Sequence, residues 1–225
     1  MNVSEMLSKI MDGINDDTLL QADLLARIND KRKEIASRVR LPGLLQEDGR
    51  VIFNAGAFYT VMPSDYEPEH GVLYAYSLTN SLELYIRSNT KVLYQGRDRI
   101  STGTISEVAV EGTLIHCYLG TASKDKVRIK YYTIPDDLEY DDTHDDSPGE
   151  LPSNLHEGLL VDGIVFDRLK YKRYQSGQDM EMKRDSEIRR EAAAAHSAAY
   201  AELMNKYKES PQLGTQKLRR KVVTF

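Results

Sequence analysis

Apolar residues recur along this chain with two different periods, and the order in which the period changes predicts an architecture. Over residues 4–39 the apolar positions repeat at helical spacing. Over residues 51–134 they alternate with polar ones, as in strands, and from 152 to 208 the helical spacing returns. A chain that leaves a helical layer, builds a sheet and comes back predicts an α+β fold. The expected form is a four-helix arrangement with an antiparallel β-sandwich or barrel inserted between the second and third helices. The expected organisation is a helical domain from residues 1–41 and 152–208, a β-domain over 50–134, an acidic linker over 135–151 and a C-terminal tail over 209–225.

The local signals give each helix its expected limits. Ser4 is the expected N-cap of a first short helix, with Leu7, Ile10 and Ile14 on one stripe and Gly13 near its end. Asn15, Asp16 and Asp17 mark a turn, and Thr18 with Gln21 has the spacing of a capping box. The second helix carries Leu24, Leu25, Ile28, Ile35 and Val39, with a charged outer face, and Pro42 and Gly43 end it. A third helix opens at Pro152 or Ser153 and places Leu155, Leu159, Gly163, Phe166 and Leu169 on one stripe. Gly163 costs a helix interior about 1 kcal/mol relative to Ala, and on an apolar face its expected return is close approach by another helix. After Ser176, Gly177 and Asp179 a long fourth helix is expected to reach Lys208, with Ala192, Ala195, Ala199 and Leu203 on one face.

The clearest strand is KVRIKYYTI, where Val127, Ile129 and Tyr131 alternate with Lys126, Arg128 and Lys130. Val108 and Val110 lead through Glu111-Gly112-Thr113 into residues 114–119, a hairpin pattern. Leu82, Leu84 and Ile86 alternate with Glu83, Tyr85 and Arg87 in a further expected strand, and shorter pieces cover 51–53, 58–61 and 72–76.

Composition narrows the function classes rather than choosing one. A formal net charge of −5 gives no global basic field for nucleic acid. The single Cys117 excludes an intrachain disulfide. No apolar run approaches the roughly 18 residues that span a bilayer, and the opening MNVSEMLSKIMDG has no charged-then-apolar signal pattern, so the expected place of synthesis is the cytosol.

Candidate chemistry is sparse. Asp136, Asp137, Glu139, Asp141, Asp142, His144, Asp145 and Asp146 crowd one segment, but the spacing lacks the central glycine and terminal glutamate of a calcium loop. A solvated acidic linker is the expected reading, with no metal, no cofactor and no catalytic residues. His116 and Cys117 are neighbours in a strand, so their side chains leave on opposite faces and cannot pair. The tail ESPQLGTQKLRRKVVTF sets four cations ahead of Val222, Val223 and Phe225, a composition suited to ordering against a partner.

Several of these segments resemble the head–tail adaptors of tailed bacteriophages, the connector group that includes tail tubular protein A. The helix pair SEMLSKIMDGINDD…DLLARINDKRKEIA, with Leu24, Leu25, Ile28 and Asn29, is similar to that family's opening. Thr60-Val-Met-Pro-Ser-Asp65 resembles its strand ending in Leu-Pro-x-Asp, with Met62 for Leu. VRIKYYTIPDDL resembles its last strand with the Tyr-x-x-x-Pro exit, and Leu151-Pro-Ser-Asn-Leu-His-Glu-Gly-Leu-Leu-Val161 its Leu-Pro-x-x-Tyr-His helix start, with Leu155 for the aromatic.

The resemblance implies a non-enzymatic structural role in the virion, at the head–tail junction, after synthesis in the host cytoplasm. The implied partners are the portal protein, a tail or nozzle protein, and further copies of the chain in a ring of about twelve. DNA passes through that ring during ejection without sequence-specific binding, and no membrane is involved. The implied portal-docking element is the tail with Lys217, Leu218, Arg219, Arg220, Lys221, Val222, Val223 and Phe225. Asp136, Asp137, Asp141, Asp142, Asp145 and Asp146 are candidates to face the channel. The alternatives are a β-sandwich module of a virion protein that binds carbohydrate or peptide, and, behind it, a metal-dependent nuclease built on the acidic cluster.

Overall fold

In chain order the first elements are α1 (Val3–Ile14), α2 (Gln21–Arg38), β1 (Leu45–Phe53), β2 (Tyr59–Val61), β3 (Val72–Ser77), β4 (Leu82–Glu83) and β5 (Tyr85–Arg87). They are followed by α3 (Thr90–Tyr94), β6 (Ile100–Gly103), β7 (Glu107–Glu111), β8 (Leu114–Cys117), β9 (Leu119–Thr121) and β10 (Asp125–Tyr132). Two helices close the chain, α4 (Asp162–Lys170) and α5 (Asp179–Lys208). The computed structural model describes residues 1–14, 20–95, 100–121, 123–141, 143–172 and 177–208. The fold is α+β, with the β-rich stretch between α2 and the helical segment that opens at Ser153.

Two compact units result. The first comprises Met1–Gln46, Asp65–His70 and Tyr132–Lys208. Helix α1 buries Val3, Met6, Leu7, Ile10 and Ile14, the i, i+3, i+4, i+7 stripe expected of a helix with one wet face. Its N-cap is Asn2 and not Ser4. The Asn2 side chain accepts from the Glu5 N–H at 3.1 Å, while the Glu5 carboxylate accepts from the Asn2 N–H at 3.2 Å. That reciprocal pair satisfies two end donors at once, which leaves Ser4 in the first turn and free to bond elsewhere. The expected capping box at the second helix rests on Thr18, which lies outside the described residues. Helix α2 starts at Gln21 behind Leu20, with no side-chain cap.

The third expected helix is built in three pieces. Ser153–Leu155 form a 3₁₀ turn, Glu157–Val161 a π turn, and α4 follows without a break. The wide π turn changes which residues face inward: Leu159, Leu160 and Val161 are all buried, while Phe166, placed on the stripe by a strict 3.6 period, is only half-buried. Helix α5 lies close against this segment. A Cβ added to Gly158 would come within 2.6 Å of the Ala199 Cβ, and one on Gly163 within 2.9 Å of His196 Nδ1. The close approach expected at Gly163 is therefore present, with Gly158 as its second point. On α5 Ala192, Ala199 and Leu203 are buried. Ala195 turns its side chain out and contributes its carbonyl to the contact at Gly158 instead.

The second unit comprises Glu47–Ser64 and Gly71–Tyr131. One sheet has the order β1-β10-β3-β4 and the other β2-β8-β7-β5, with β6 and β9 paired apart. Strand β10 buries Val127, Ile129 and Tyr131 and runs antiparallel to β3 in the register Ile129↔Ala75. Strands β7 and β8 form the hairpin read from the sequence, turning at Gly112 with φ +58°.

Two features depart from an all-antiparallel arrangement. The stretch 82–87 is two strands, because buried Leu84 divides β4, beside β3, from β5, beside β7. Moreover β5 pairs with β7 in parallel, as β6 does with β9. The chain between β5 and β7, which contains α3, is long enough to carry it back to its starting end, as a parallel pair requires.

Candidate functional site

The acidic segment 135–151 belongs to the first unit, and its polar groups are tied to α1 and α2 at both ends. On α2, Asn29 and Arg32 occupy the apolar side beside Ile28 and Ile35, and both are buried. The Asn29 amide clasps the backbone of one residue on both sides: its Nδ2 donates to the Leu138 carbonyl at 3.2 Å and its Oδ1 accepts from the Leu138 N–H at 2.9 Å. Arg32 donates to Asn29 Oδ1 at 3.1 Å, to the Asp136 carbonyl at 2.9 Å and, through Nε, to Glu150 at 2.7 Å. The Arg32 and Glu150 side chains are only 5% and 8% exposed. A charge pair this deep holds only because its remaining valences are filled by hydrogen bonds.

The other end of the segment closes over the start of α1. Asp145 accepts from the Ser4 N–H at 2.9 Å and from the Ser4 hydroxyl at 2.7 Å, and the Asp146 carbonyl accepts from the Val3 N–H at 2.9 Å. A carboxylate here meets the exposed N–H groups and positive dipole end of the helix. The Ser4 side chain and N–H hold the Asp145 carboxyl below the usual carboxylate range. Between these ties, in the 139–146 loop, Tyr140 and Asp145 form a β-bridge and the Asp141 N–H donates to the His144 carbonyl at 3.0 Å. Hydrogen bonds from Thr143, and then from His144, hold the Asp141 carboxyl well below its ordinary value, and the Asp141 carboxylate in turn raises the His144 imidazole.

The segment's approach and exit are built from the stretches that stood out in the sequence. Where residues 60–65 leave β2, the Asp65 carbonyl accepts from the Ile134 N–H at 2.7 Å and the Glu67 N–H donates to the Tyr132 carbonyl at 2.9 Å. At the exit, buried His156 sets its two ring nitrogens against the carbonyls of Leu151, at 3.1 Å, and Met1, at 3.3 Å. Thus Asn29 holds the segment near its start, and His156 bonds the chain at its end. Asn29, Arg32, Glu150 and His156 were not singled out as functional from the sequence. Their signal was there in part: Asn29 and Arg32 interrupt an apolar stripe with groups that water cannot reach.

The sequence-selected acids therefore divide. Asp141 and Asp145 fold the loop, and Asp146 accepts from the Glu139 N–H at 2.8 Å. Asp137 pairs with Lys33 at 2.7 Å, and Asp136 contributes its carbonyl while its side chain is exposed. Asp142 lies outside the described residues, as do Lys217, Leu218, Arg219, Arg220, Lys221, Val222, Val223 and Phe225. Among the described residues no group of three or more His, Cys, Asp or Glu is arranged to hold a metal ion. Nor is any helix among them long and apolar enough to cross a membrane.

The remaining candidate, Cys117, is buried, and burial, with a smaller push from Asp125, raises its thiol to about 12. His116, on the opposite face of β8, packs instead against the rings of Tyr59 and Tyr94. A thiol held protonated at neutral pH, with no imidazole beside it, is no nucleophile.

Comparison with known proteins gives one assignment over nearly the full length. The family model described as SU10 adaptor protein matches residues 1–222. No curated protein matches the chain.

Proposed function

Since the chain belongs to the SU10 adaptor protein family, a phage adaptor family whose members are structural components of the virion, we propose that it is the head–tail adaptor of a tailed phage, of the tail tubular protein A type. It assembles as a ring of about twelve copies beneath the portal, extends the channel through which DNA leaves the capsid, and presents the surface on which the tail is built. The carrying observation is the family match over residues 1–222, which takes in both units and almost all of the C-terminal tail.

The geometry supports this reading by what the polar clusters do. Asn29, Arg32, Glu150, Asp145 and His156 are spent on holding the chain to itself, the work of a scaffold. In the ring, exposed Asp136 and Asp137 border the DNA path, where like charge leaves the phosphates unbound. Tyr59, Val61 and Tyr85 are strongly exposed on the second sheet. A carbohydrate- or peptide-binding module would use the same side chains, but here they serve as tail-side contacts.

The test uses DNA-filled capsids that carry portal and lack adaptor. Full-length protein added to them should appear by electron microscopy as a ring under the portal, and protein truncated after Gly214 should not attach. Capsids that bind no protein at the portal vertex, or that become infectious with the truncated chain, would overturn the proposal.

A further inference from the structure

The end of the helix pair formed by α4 and α5 carries an open groove of 360 Å³ lined by Leu169, Met182, Lys183, Asp185, Ser186 and Arg189. Its buried lining is Leu169 and Asp185, whose carboxylate is paired with Lys172 at 2.7 Å, while Lys183 and Arg189 stand exposed beside them. Neither Lys183 nor Arg189 makes an ion pair among the described residues. Large apolar side chains stand in water at the same end: Tyr171 is 74% exposed, Met180 87% and Met182 45%. Single exposed apolar residues are ordinary, but several around one groove with a polar rim mark an interaction surface.

The same unit offers a loop whose charge is opposite to that of Lys183 and Arg189. The 139–146 loop presents Tyr140, 37% exposed, between the exposed Glu139 and Asp141. The loop is braced behind that side chain by the Tyr140–Asp145 bridge and by the Asp141 N–H donating to the His144 carbonyl at 3.0 Å. A braced tyrosine costs little side-chain entropy when it is buried in a contact, and tyrosine and arginine are the residues that most often carry interface energy. Among the described residues no hydrogen bond or ion pair joins loop to groove within one chain.

We propose that the occupant is a second copy: Tyr140 of one subunit inserts into the Leu169–Met182 groove of the next, with Glu139 and Asp141 facing Lys183 and Arg189. This inference rests on the ring reading above and names its lateral contact. The two surfaces differ, so the contact is head-to-tail, and repetition closes a ring rather than a two-fold dimer. The charges set register and speed encounter, while the ring of Tyr140 supplies the desolvated centre.

The first arm of the test is a cysteine pair, Glu139→Cys with Lys183→Cys, which keeps Tyr140 and Met182, in the full-length protein, whose own Cys117 is buried and unreactive. After assembly on portal-bearing capsids, copper–phenanthroline oxidation should give a ladder of disulfide-linked multimers, and neither single substitution should give one. The second arm reverses charge. Arg189→Glu alone and Glu139→Arg alone should each lose the ring while keeping the wild-type unfolding temperature, and the two together in one chain should restore it. Rings that form without the ladder, or that ignore both reversals, overturn this contact and leave the ring reading standing. Wild-type protein that binds the portal without ever forming a ring overturns both.

Discussion

Arg32 sits where the periodicity of α2 calls for an aliphatic side chain, and its guanidinium is the centre of the junction with residues 136–150. Replacing it by Ala leaves Glu150 buried without its cation, a defect that costs about 3–5 kcal/mol when a buried pair loses one partner. Urea unfolding should show that loss for Arg32→Ala, and Arg32→Met with Glu150→Leu should recover most of it. The 139–146 loop should respond to pH in two directions. Asp141 and Asp145 have folded values below their unfolded ones, so their contribution is present above about pH 4 and fades as pH falls below that. His144 is raised, so its contribution is full below about pH 6.5 and fades as pH rises through its folded value. Amide exchange at residues 139–146 should therefore be slowest, relative to the intrinsic rate, between about pH 4 and 6.5. Protection that rises steadily to pH 8 would contradict the Asp141–His144 pairing.

At the scale of elements, the packing of α5 on the π turn and on α4 depends on the absence of a side chain at Gly158 and Gly163. Gly158→Ala improves intrinsic helix propensity by about 1 kcal/mol, yet its methyl would lie 2.6 Å from the Ala199 Cβ and 3.3 Å from the Ala195 carbonyl. Overpacking of this kind costs about 1–3 kcal/mol, and the obstacle includes backbone, which cannot rotate away. The substitution should lower the unfolding temperature in calorimetry, and Ala199→Gly in the same chain should return part of it. The helices were legible element by element because apolar spacing is a local property. The π turn was not, because a one-residue widening leaves the composition of the stripe unchanged and shows only in which side chains meet α5. Likewise 82–87 reads as one strand, since alternation cannot reveal that its halves hydrogen-bond to different sheets.

At the scale of the whole molecule, the adaptor proposal makes the tail beyond Ser210 an element that orders on its partner. Ordering backbone costs about 1–2 kcal/mol per residue, and exposed ion pairs return only about 0–1 kcal/mol each. On that proposal Val222, Val223 and Phe225 carry the affinity, and Lys217, Arg219, Arg220 and Lys221 guide the approach. This is why loss of the segment after Gly214 should abolish attachment while leaving the cooperative unfolding of the remaining chain unchanged. Among the described residues, the apolar core of the first unit is drawn from α1, residues 24–41, residues 138–169 and α5.

The sequence by itself determined the α+β class, the position of the β-rich stretch, the hairpin at Gly112 and the inward face of β10, because each follows from side-chain period and turn chemistry within a few residues. The short stretches around Leu24–Asn29, Thr60–Asp65, Tyr131–Pro135 and Leu151–His156 were also visible in it. What those stretches are for was decided only in three dimensions. Asn29 and Leu138 are 109 positions apart and Ser4 and Asp145 are 141 apart, and no periodicity relates such pairs. The acidic run looked like a solvated linker because charge reads as exposure when its partners are unknown. In the folded chain, several of those oxygens and peptides are satisfied by α1 and α2, and tertiary placement alone separates a carboxylate that holds the fold from one left to face a partner.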